Sequence, residues 1–432
     1  MISALCAEGT YGPLHSVHPP ITIPAWAAML TGCDPGQLGL YGFRGRRSRQ
    51  ARTATLHDAT DLEVPTLWDL LGRDGRESIV VGFPPSYPPR PLRGHLVSGM
   101  LTPPGADDWT FPASLRDEVA GWVGSDRGYA FDAEAHRGPD PGQLRDEVFE
   151  MTRTRFDVVR RLVRSRPWDF GFVHEIGLDR LQHAYWGSLA VPGSAEAEIL
   201  RDYHRLLDAE IGETLELLPD DAIVCVVSDH GARPFEGSFR LNEWLRREGY
   251  LRLREPAPPA DSPARLDPER IDWERSRAWA DGGYCGRIYL NVKGREVEGA
   301  LSPGEARATR DELREQLEAL RGPDGERLGS AVYFPEEVYS DVSGVAPDLL
   351  FYPGDLALRC SERLGDGSLF AAENDTGPDT ANHDWDGLFV LSDPEREGRG
   401  RLEGAHLLDI APTLLERLSV PAPGWMRGGT IP

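Results

Sequence analysis

The chain contains little lysine, little cysteine and no long apolar run. Lys293 is the only lysine among 432 residues, so arginine carries nearly all of the positive charge, which we attribute to a GC-rich genome rather than to function. The five cysteines are scattered and form no Cys-x-x-Cys pair, which favours a reducing compartment over a disulfide framework. No stretch approaches the roughly 18 apolar residues that span a bilayer, and the first residues lack the basic start and apolar core of a signal peptide. We therefore predict a cytoplasmic protein that does not contact membranes.

The chain has fewer basic than acidic residues, 47 against 70. The formal net charge of −23 argues against a nucleic acid polymer or an anionic membrane as the main partner. It does not exclude a small phosphorylated substrate, because bound cations can reverse the local sign of the charge. A hydrophobic content of 40% is typical of a globular protein, so we expect a folded chain with a large core.

Short apolar runs alternate with helical patterns along the chain. Such alternation is typical of an α/β fold in which helices cover a mainly parallel sheet. A helical stripe of apolar residues covers 200–215, between the second and third of these runs. The predicted strands are 77–83, 168–176, 222–227 and 387–391.

The domain organisation is predicted as one large domain, 1–432, with two insertions. Residues 83–142 are rich in proline and glycine and form the first, loop-rich insertion. Residues 235–346 form the second insertion, or a cap-like region. Within it, the proline-rich segment 255–268 is predicted to be an exposed linker.

The most informative motif is Ser228-Asp229-His230-Gly231, directly after the apolar run 222–227. The carboxyl end of a buried strand is where open α/β sheets bind ligands. A carboxylate beside an imidazole suits an ion such as Zn²⁺. Taken alone, the motif is also compatible with an ordinary turn after a strand.

Two further segments carry residues of the same types. Asp179 and His183 are four residues apart at the start of a predicted helix, so both side chains lie on one helix face and can bind one ion. His383 lies in a loop before the last predicted strand. Without the other motifs, a surface ion pair and a solvent-exposed histidine would be the simpler interpretations.

Thr22 precedes Pro24 and a predicted helix over 25–32. The structural interpretation is a helix N-cap with proline at the helix start. The functional interpretation is that the Thr22 hydroxyl lies where helix N–H groups favour an anion. Bound to a metal ion, it would become an alkoxide nucleophile for a phosphoryl group.

The combination of these motifs resembles the alkaline phosphatase superfamily, and within it the type I phosphodiesterases and nucleotide pyrophosphatases. It is most similar to bacterial and archaeal members described as predicted phosphohydrolases or phosphomutases. The resemblance implies a three-layer fold with a mainly parallel central sheet, and it extends over the whole chain. The stretches that carry it are 19–26, 31–32, 178–183, 227–231 and 409–415.

The resemblance implies a metal-dependent phosphoester hydrolase. Thr22 would be the nucleophile between two divalent ions, most readily Zn²⁺, with Mn²⁺ as an alternative. Asp229 and His230 would bind one ion. The other would be bound by Asp179, His183 and His383. Two ions clamp the attacking and leaving oxygens and lower the pKa of the nucleophile, and the expected cycle passes through a phosphothreonine.

The chain departs from the family at its beginning. Members begin with a strand whose terminal Asp binds the same ion as Asp229 and His230, whereas residues 1–9 resemble the end of the helix that follows that strand. Asp34 is a poor substitute for that Asp ligand, because it follows the Thr22 helix and therefore belongs at the end far from Thr22. Either the recorded start lies too far downstream, which we favour, or the first metal site is impaired. Both predict a vacant strand position beside 222–227.

A second departure concerns the substrate. Relatives that cleave nucleotide diesters often carry an Asn after the Thr-Gly turn to hold a phosphate oxygen, and this chain has Phe43 near that place. We expect Arg44 and Arg46 to be solvated rather than bound to phosphate. The substrate-binding residues therefore stay unknown. Likewise, His15 and His18 are predicted to be loop residues.

Three activities stay open at this point. The leading one is hydrolysis of a small-molecule phosphodiester or pyrophosphate. A phosphomutase of the same superfamily, and a binding protein impaired by loss of the N-terminal Asp, are the alternatives. The sequence predicts neither the substrate nor the oligomeric state.

Overall fold

The computed structural model describes residues 1–124, 128–136, 138, 141–191, 193–255, 264–365, 367–375 and 379–432. The helices are, in chain order, α1 (Ile2–Glu8), α2 (Thr22–Thr31), α3 (Pro35–Leu38), α4 (Leu67–Arg73), α5 (Leu115–Val123), α6 (Pro141–Ser165), α7 (Gly177–Tyr185), α8 (Ala195–Leu215), α9 (Leu241–Arg247), α10 (Pro303–Glu318), α11 (Pro335–Val338) and α12 (Ile410–Arg417). The first strands are β1 (Thr10–His15), β2 (Arg44–Gly45), β3 (Thr55–Leu56), β4 (Ser78–Val81), β5 (Gly94–Val97), β6 (Thr110–Phe111), β7 (Phe170–Val173), β8 (Val224–Val227), β9 (Gly231–Pro234), β10 (Ser238–Arg240) and β11 (Ala264–Arg265). The remaining strands are β12 (Ala278–Asp281), β13 (Gly286–Leu290), β14 (Ala331–Tyr333), β15 (Leu349–Tyr352), β16 (Arg359–Ser361), β17 (Arg363–Leu364), β18 (Phe370–Ala371), β19 (Ala381–Asp384), β20 (Asp386–Ser392), β21 (Gly400–Arg401) and β22 (Ala405–His406).

The chain forms two compact units. The first contains residues 1–38, 57–232 and 384–432, and the second contains 39–56 and 233–383. The chain leaves the first unit within β9 and returns to it within β19. The prediction of one domain with insertions at 83–142 and 235–346 stays a prediction.

Two sheets form the strand layer of the first unit. One has the order β6-β5-β4-β7, and the other has the order β21-β1-β20-β8, with β22 also paired to β1. All four apolar runs predicted as strands are strands, and the α/β class is confirmed. β7 and β8 are the last strands of their sheets among the described residues. The vacant strand position beside 222–227 stays a prediction.

The sheets are less parallel than predicted. β4 is parallel to β5 and β7, but β20 is antiparallel to both β1 and β8. The reason is the return of the chain from β19, because Asp386 at the start of β20 pairs with His15 at the end of β1. The central layer is therefore mixed.

Helices cover both faces of the β4 sheet. Ile79 and Val81 pack with Val158 and Leu162 of α6. Phe172, which alternates with Val173 along β7, instead lies against the Trp26 ring of α2, with ring centroids 5.6 Å apart. Because successive strand side chains point to opposite faces, α2 and α6 lie on opposite sides, as the expected three-layer fold requires.

Helix α2 begins earlier than predicted. The first helical hydrogen bond runs from Ala25 N–H to the Ile21 carbonyl at 2.9 Å, so Ile21 is the N-cap and Thr22 is the first helical residue. The prediction of Thr22 as the N-cap was therefore wrong by one position. The helix ends at Gly32, whose φ of 66° is left-handed and costs little in a glycine.

The second unit has its own core. Strands β12, β13, β15 and β14 form an antiparallel sheet in that order. Its buried residues include three tryptophans, Trp244, Trp273 and Trp279. Of the predicted linker 255–268, residues 256–263 lie outside the described part of the chain. Among the described residues, no helix is long and apolar enough to cross a membrane.

Candidate active site

Thr22 is buried at the first turn of α2, with 3% of its surface exposed. At this position its backbone N–H and that of Ile23 precede the first helical hydrogen bond, so they have no partner within the helix. Such N–H groups, together with the helix dipole, favour a bound anion. Trp26, one turn further, packs edge-on against His174 with ring centroids 4.9 Å apart, which fixes α2 on β7.

Asp229 and His230 follow β8 directly. The Asp229 carbonyl accepts a hydrogen bond from Ser16 Oγ at 2.5 Å, which ties this turn to the segment that leads into Thr22. His230 Nδ1 lies 2.9 Å from the Gly231 carbonyl. Because a carbonyl can only accept, Nδ1 carries the proton, and Nε2 keeps its lone pair for a metal ion. That Nε2 lies 3.4 Å from Asp229 Oδ2.

The Asp229 carboxyl group is electrostatically unusual. Burial raises its pKa to about 6, His230 opposes this shift, and the nearby Asp179 carboxylate adds to it. Asp229 Oδ2 is buried and accepts no hydrogen bond within the described residues. Such an oxygen is a suitable ligand for a cation, which would replace its lost hydration.

Asp179 and His183 lie on one face of α7, as their spacing predicts. His183 Nε2 is 3.3 Å from Asp179 Oδ1. Arg180 NH1 donates to the other Asp179 oxygen at 3.0 Å, and Arg180 is also paired with Asp132 at 2.6 Å. Burial by itself would raise the pKa of Asp132, but the Arg180 charge outweighs it and the net pKa is lowered.

His383 lies in strand β19 rather than in the predicted loop. The side chain of its neighbour Asn382 donates to the Leu356 carbonyl at 2.6 Å and accepts from Arg359 Nε at 3.2 Å. The His383 ring is buried and stacks on Tyr284, with centroids 3.6 Å apart. Asp179 and His183 belong to the first unit and His383 to the second, so the binding of one ion by all three stays a prediction. Among the described residues, Asp229 and His230 belong to no group of three side chains that could hold one metal ion.

The sequence model of the type I phosphodiesterase/nucleotide pyrophosphatase family matches residues 1–385. The chain belongs to this family. As a family member it is a phosphoric ester hydrolase, and the predicted recognition and enzyme class are confirmed. No curated protein sequence matches the chain.

Solved structures share the fold of this phosphodiesterase family member. Human ectonucleotide pyrophosphatase/phosphodiesterase 5 matches 99% of this chain and 91% of its own, with a TM-score of 0.57 and 14% identity. The murine protein, in an inactive threonine-to-alanine form in complex with AMP, has a TM-score of 0.56 at 13% identity over the same shares. Phosphonoacetate hydrolase from Sinorhizobium meliloti in complex with phosphonoacetate has a TM-score of 0.53 and 16% identity, over 97% of this chain and 89% of its own. At such low identities, these likenesses show the fold alone.

A supporting network around α7 was missed by sequence reasoning. Arg155 is buried and paired with Glu175 at 3.1 Å, and Glu175 accepts a hydrogen bond from Gly177 N at the start of α7. This pair therefore fixes the turn that presents Asp179. Arginine and glutamate are common on helices and in loops, so nothing in the sequence distinguishes this pair from surface charges.

The structure places Arg46, Arg44, Asp34 and His15 in different surroundings. Arg46 is buried rather than solvated, because Glu296 binds its guanidinium at 2.6 Å, so that prediction was wrong. Arg44 is exposed as expected. Asp34 accepts a hydrogen bond from Gln37 N at 2.9 Å beyond the far end of α2. His15 ends β1 instead of lying in a loop, and its Nδ1 is 2.8 Å from Asp386.

His174, at the end of β7, is a packing residue. Its Nδ1 donates to the Gly82 carbonyl at 3.1 Å. Burial and the charge of Arg155 lower its pKa to about 3, so the ring is neutral at ordinary pH. Its contact with the Trp26 ring and its bond to the backbone give it a structural role between α2 and β7.

Proposed function

We propose that this protein hydrolyses a phosphodiester or pyrophosphate bond in a small molecule, with Thr22 as the nucleophile between two divalent ions. The observation that carries the proposal is the convergence of two carboxylate–imidazole pairs from distant segments. Asp179 lies close enough to Asp229 to raise its pKa. Two carboxylates in a partly buried site repel each other unless a cation lies between or beside them.

The donor set fits Zn²⁺, and Mn²⁺ is an alternative. Asp229 and His230 would bind one ion through the orphaned Oδ2 and the lone pair of Nε2. Asp179, His183 and His383 would bind the other. Imidazole and carboxylate donors suit these borderline ions. When bound, the ions lower the pKa of the threonine hydroxyl and stabilise the charge that develops on the phosphoryl group.

The chemistry at Thr22 proceeds in two displacements. Thr22 Oγ loses its proton and attacks the phosphorus in line, and the bond from phosphorus to the leaving oxygen breaks. The leaving oxygen takes up a proton, and the phosphoryl group stays on Thr22. The N–H groups of Thr22 and Ile23 hold a phosphoryl oxygen at the start of α2. Water then attacks the phosphothreonine and releases the second product with Thr22 restored.

One relative supports the role of a threonine. The murine phosphodiesterase 5 structure is described as an inactive threonine-to-alanine form that binds AMP. By analogy, we propose a small phosphoester as the substrate of this chain, without assigning its organic part.

The direct test is hydrolysis of bis(4-nitrophenyl) phosphate by the metal-free protein after addition of Zn²⁺ or Mn²⁺. We expect turnover by the wild type, and a loss of at least about 1,000-fold in Thr22→Ala, because the nucleophile is removed. Thr22→Ser should retain part of the activity.

A matched control is Thr31→Ala at the other end of α2. Thr31 donates to the Ala27 carbonyl at 2.8 Å and lies a helix length away from Thr22. It should retain wild-type turnover. Equal activity of the wild type and Thr22→Ala would exclude Thr22 as the nucleophile.

A further inference from the structure

The buried side chain of Arg359 binds the short segment that leads into His383. Its Nη1 is 2.7 Å from Asp379 Oδ2, its Nη2 donates to the Ala381 carbonyl at 3.0 Å, and its Nε donates to Asn382 Oδ1 at 3.2 Å. Because the guanidinium is planar and its N–H groups have fixed directions, these three contacts fix the start of β19 relative to β16. His383 directly follows Asn382 in that strand.

Tyr284 is held beside Arg359 by the backbone next to it. Gly283 N–H donates to the Cys360 carbonyl at 2.7 Å, and Cys360 N–H donates to the Gly283 carbonyl at 2.8 Å. This reciprocal pair joins the turn before β13 to β16. The Arg359 Cζ atom also lies 4.3 Å from the centre of the Tyr284 ring, a cation–π contact. Backbone hydrogen bonds and a cation–π contact therefore both hold Tyr284 in place.

The His383 ring stacks on Tyr284 closely enough to prevent the imidazole from turning. The two centroids are 3.6 Å apart, and the ring planes differ by 24°. Edge-to-face pairs need more room, as Trp273 and Trp279 of the same unit show with centroids 4.9 Å apart. Rotation of the imidazole about its Cβ–Cγ bond would press its edge into the Tyr284 face, closer than nonbonded atoms approach. The imidazole can therefore turn only if Tyr284 moves.

This way of holding a histidine differs from that at His230. There the ring is oriented by the bond from Nδ1 to the Gly231 carbonyl at 2.9 Å, the usual device for a histidine that binds a metal ion. At His383 the stacked phenol ring gives the orientation. A side chain that is already ordered loses less rotamer freedom when it binds a ligand, so its affinity is higher.

We propose that Tyr284 is a positioning residue, which holds the His383 imidazole in one orientation and thereby strengthens binding of the ion that His383 would bind. Arg359 supports it through the Tyr284 ring and through the segment before His383. The inference rests on the proposed role of His383 as a metal ligand. All of its residues lie in the second unit.

Tyr284 is the residue to vary. The Arg359–Asp379 pair is buried, so removal of either partner would leave an unpaired charge in the core and damage the fold. Tyr284→Phe keeps the aromatic ring, whereas Tyr284→Leu removes it and keeps an apolar side chain. Tyr339→Leu is the matched control, because Tyr339 is a tyrosine of the same unit, 7% exposed against 8% for Tyr284, and packs on Tyr41.

The first experiment observes the ring contact in the metal-free protein by NMR of isotope-labelled histidine. The His383 signal is identified by its loss in His383→Gln. Protons above the face of an aromatic ring are shifted upfield, so the His383 signal should be shifted upfield in the wild type and in Tyr284→Phe. Tyr284→Leu should lose this shift, and Tyr339→Leu should keep it. An unchanged His383 signal in Tyr284→Leu would overturn the proposal.

The second experiment measures Zn²⁺ affinity by competition with a chromophoric chelator. Tyr284→Leu should weaken the affinity about 10- to 100-fold, the usual effect of losing a residue that orients a metal ligand. Tyr284→Phe and Tyr339→Leu should stay close to the wild type. Excess Zn²⁺ should restore turnover of Tyr284→Leu, because the ligand itself is intact, but not that of His383→Gln.

A double-mutant cycle separates this inference from the proposed function. In the His383→Gln background, Tyr284→Leu should weaken Zn²⁺ binding no further, because both changes act on one ligand. A loss in Tyr284→Leu that equals the loss in Tyr339→Leu, or that persists without His383, would refute the positioning role alone. Wild-type Zn²⁺ affinity in His383→Gln would refute the proposed ligand role, and the positioning role with it.

Discussion

The two carboxylate–imidazole pairs of the first unit are held in different ways. Asp179 and His183 lie one turn apart on a helix, and Arg180 neutralises Asp179 from the side at 3.0 Å. Asp229 and His230 are adjacent after a strand, and Asp229 Oδ2 is buried without a hydrogen bond. The charge of Asp179 is therefore balanced by Arg180, whereas ionisation of the buried Asp229 carboxyl group is unfavourable.

The comparison distinguishes a charged pair that is stabilised by its neighbours within the fold from one that a bound cation would stabilise. A buried carboxylate whose pKa is raised to about 6 costs folding free energy whenever it is ionised. Such groups occur at functional sites, where a bound ligand offsets this unfavourable free energy. The Asp229 pair therefore depends on a cation more strongly than the Asp179 pair does.

The largest expected effect is on activity. Asp229→Asn and Asp179→Asn should each lower kcat/KM for the activated diester by at least about 1,000-fold, because each removes a charged ligand from a proposed ion. Metal content measured after gel filtration should fall in both variants. Asp34→Asn serves as the carboxylate control, since Asp34 accepts a hydrogen bond from Gln37 N beyond the far end of α2. Full activity in Asp229→Asn would remove that residue from the site.

The two variants should have opposite effects on the stability of the metal-free protein. At neutral pH Asp229→Asn should raise the free energy of unfolding by up to about 3 kcal/mol, the value of a pKa shift from 3.8 to about 6. Asp179→Asn should lower it by about 1 kcal/mol, because Arg180 loses one charged partner. Urea denaturation with chelator present measures both.

The pH dependence gives the sign of the Asp229 contribution. A raised carboxyl pKa means that the folded state keeps the proton up to a higher pH than the unfolded state does. The contribution of Asp229 to the free energy of unfolding is therefore full below its ordinary pKa of 3.8 and is lost as the pH rises to about 6. The stabilising effect of Asp229→Asn should therefore shrink below pH 6 and vanish near pH 4. A difference that is constant with pH would contradict the raised pKa of the buried Asp229 carboxyl group.

A smaller effect concerns His174, the imidazole that belongs to neither pair. Its pKa falls from 6.5 to about 3, so the stability it contributes is full above pH 6.5 and is lost as the pH falls towards 3. At pH 5 the wild type should lose about 2 kcal/mol from this group relative to His174→Gln. The stability difference between the two proteins, measured by urea denaturation at pH 7.5 and pH 5, checks this value.

Much of the fold follows from local sequence pattern, because the strands are short apolar runs and α8 carries a clear helical stripe. The antiparallel direction of β20 could not be predicted, since strand direction depends on where the chain returns from the second unit. The Asp and His residues at 179, 183, 229, 230 and 383 could be recognised as candidate metal ligands only together, because each motif by itself has a simpler interpretation. Local sequence does not predict the ion pair that buries Arg46, because its partner Glu296 is 250 residues away. The Arg155–Glu175 pair that supports α7 likewise forms only in the tertiary structure.

The most direct test of the central claim is to trap the covalent intermediate on Thr22. The metal-loaded protein is mixed with an activated phosphodiester, quenched in acid within milliseconds and digested for peptide mass spectrometry. The account predicts a phosphoryl adduct on the peptide that contains Thr22, absent from Thr22→Ala and from enzyme quenched before substrate is added. An adduct on another residue, or turnover with inversion at phosphorus and no adduct, would contradict it.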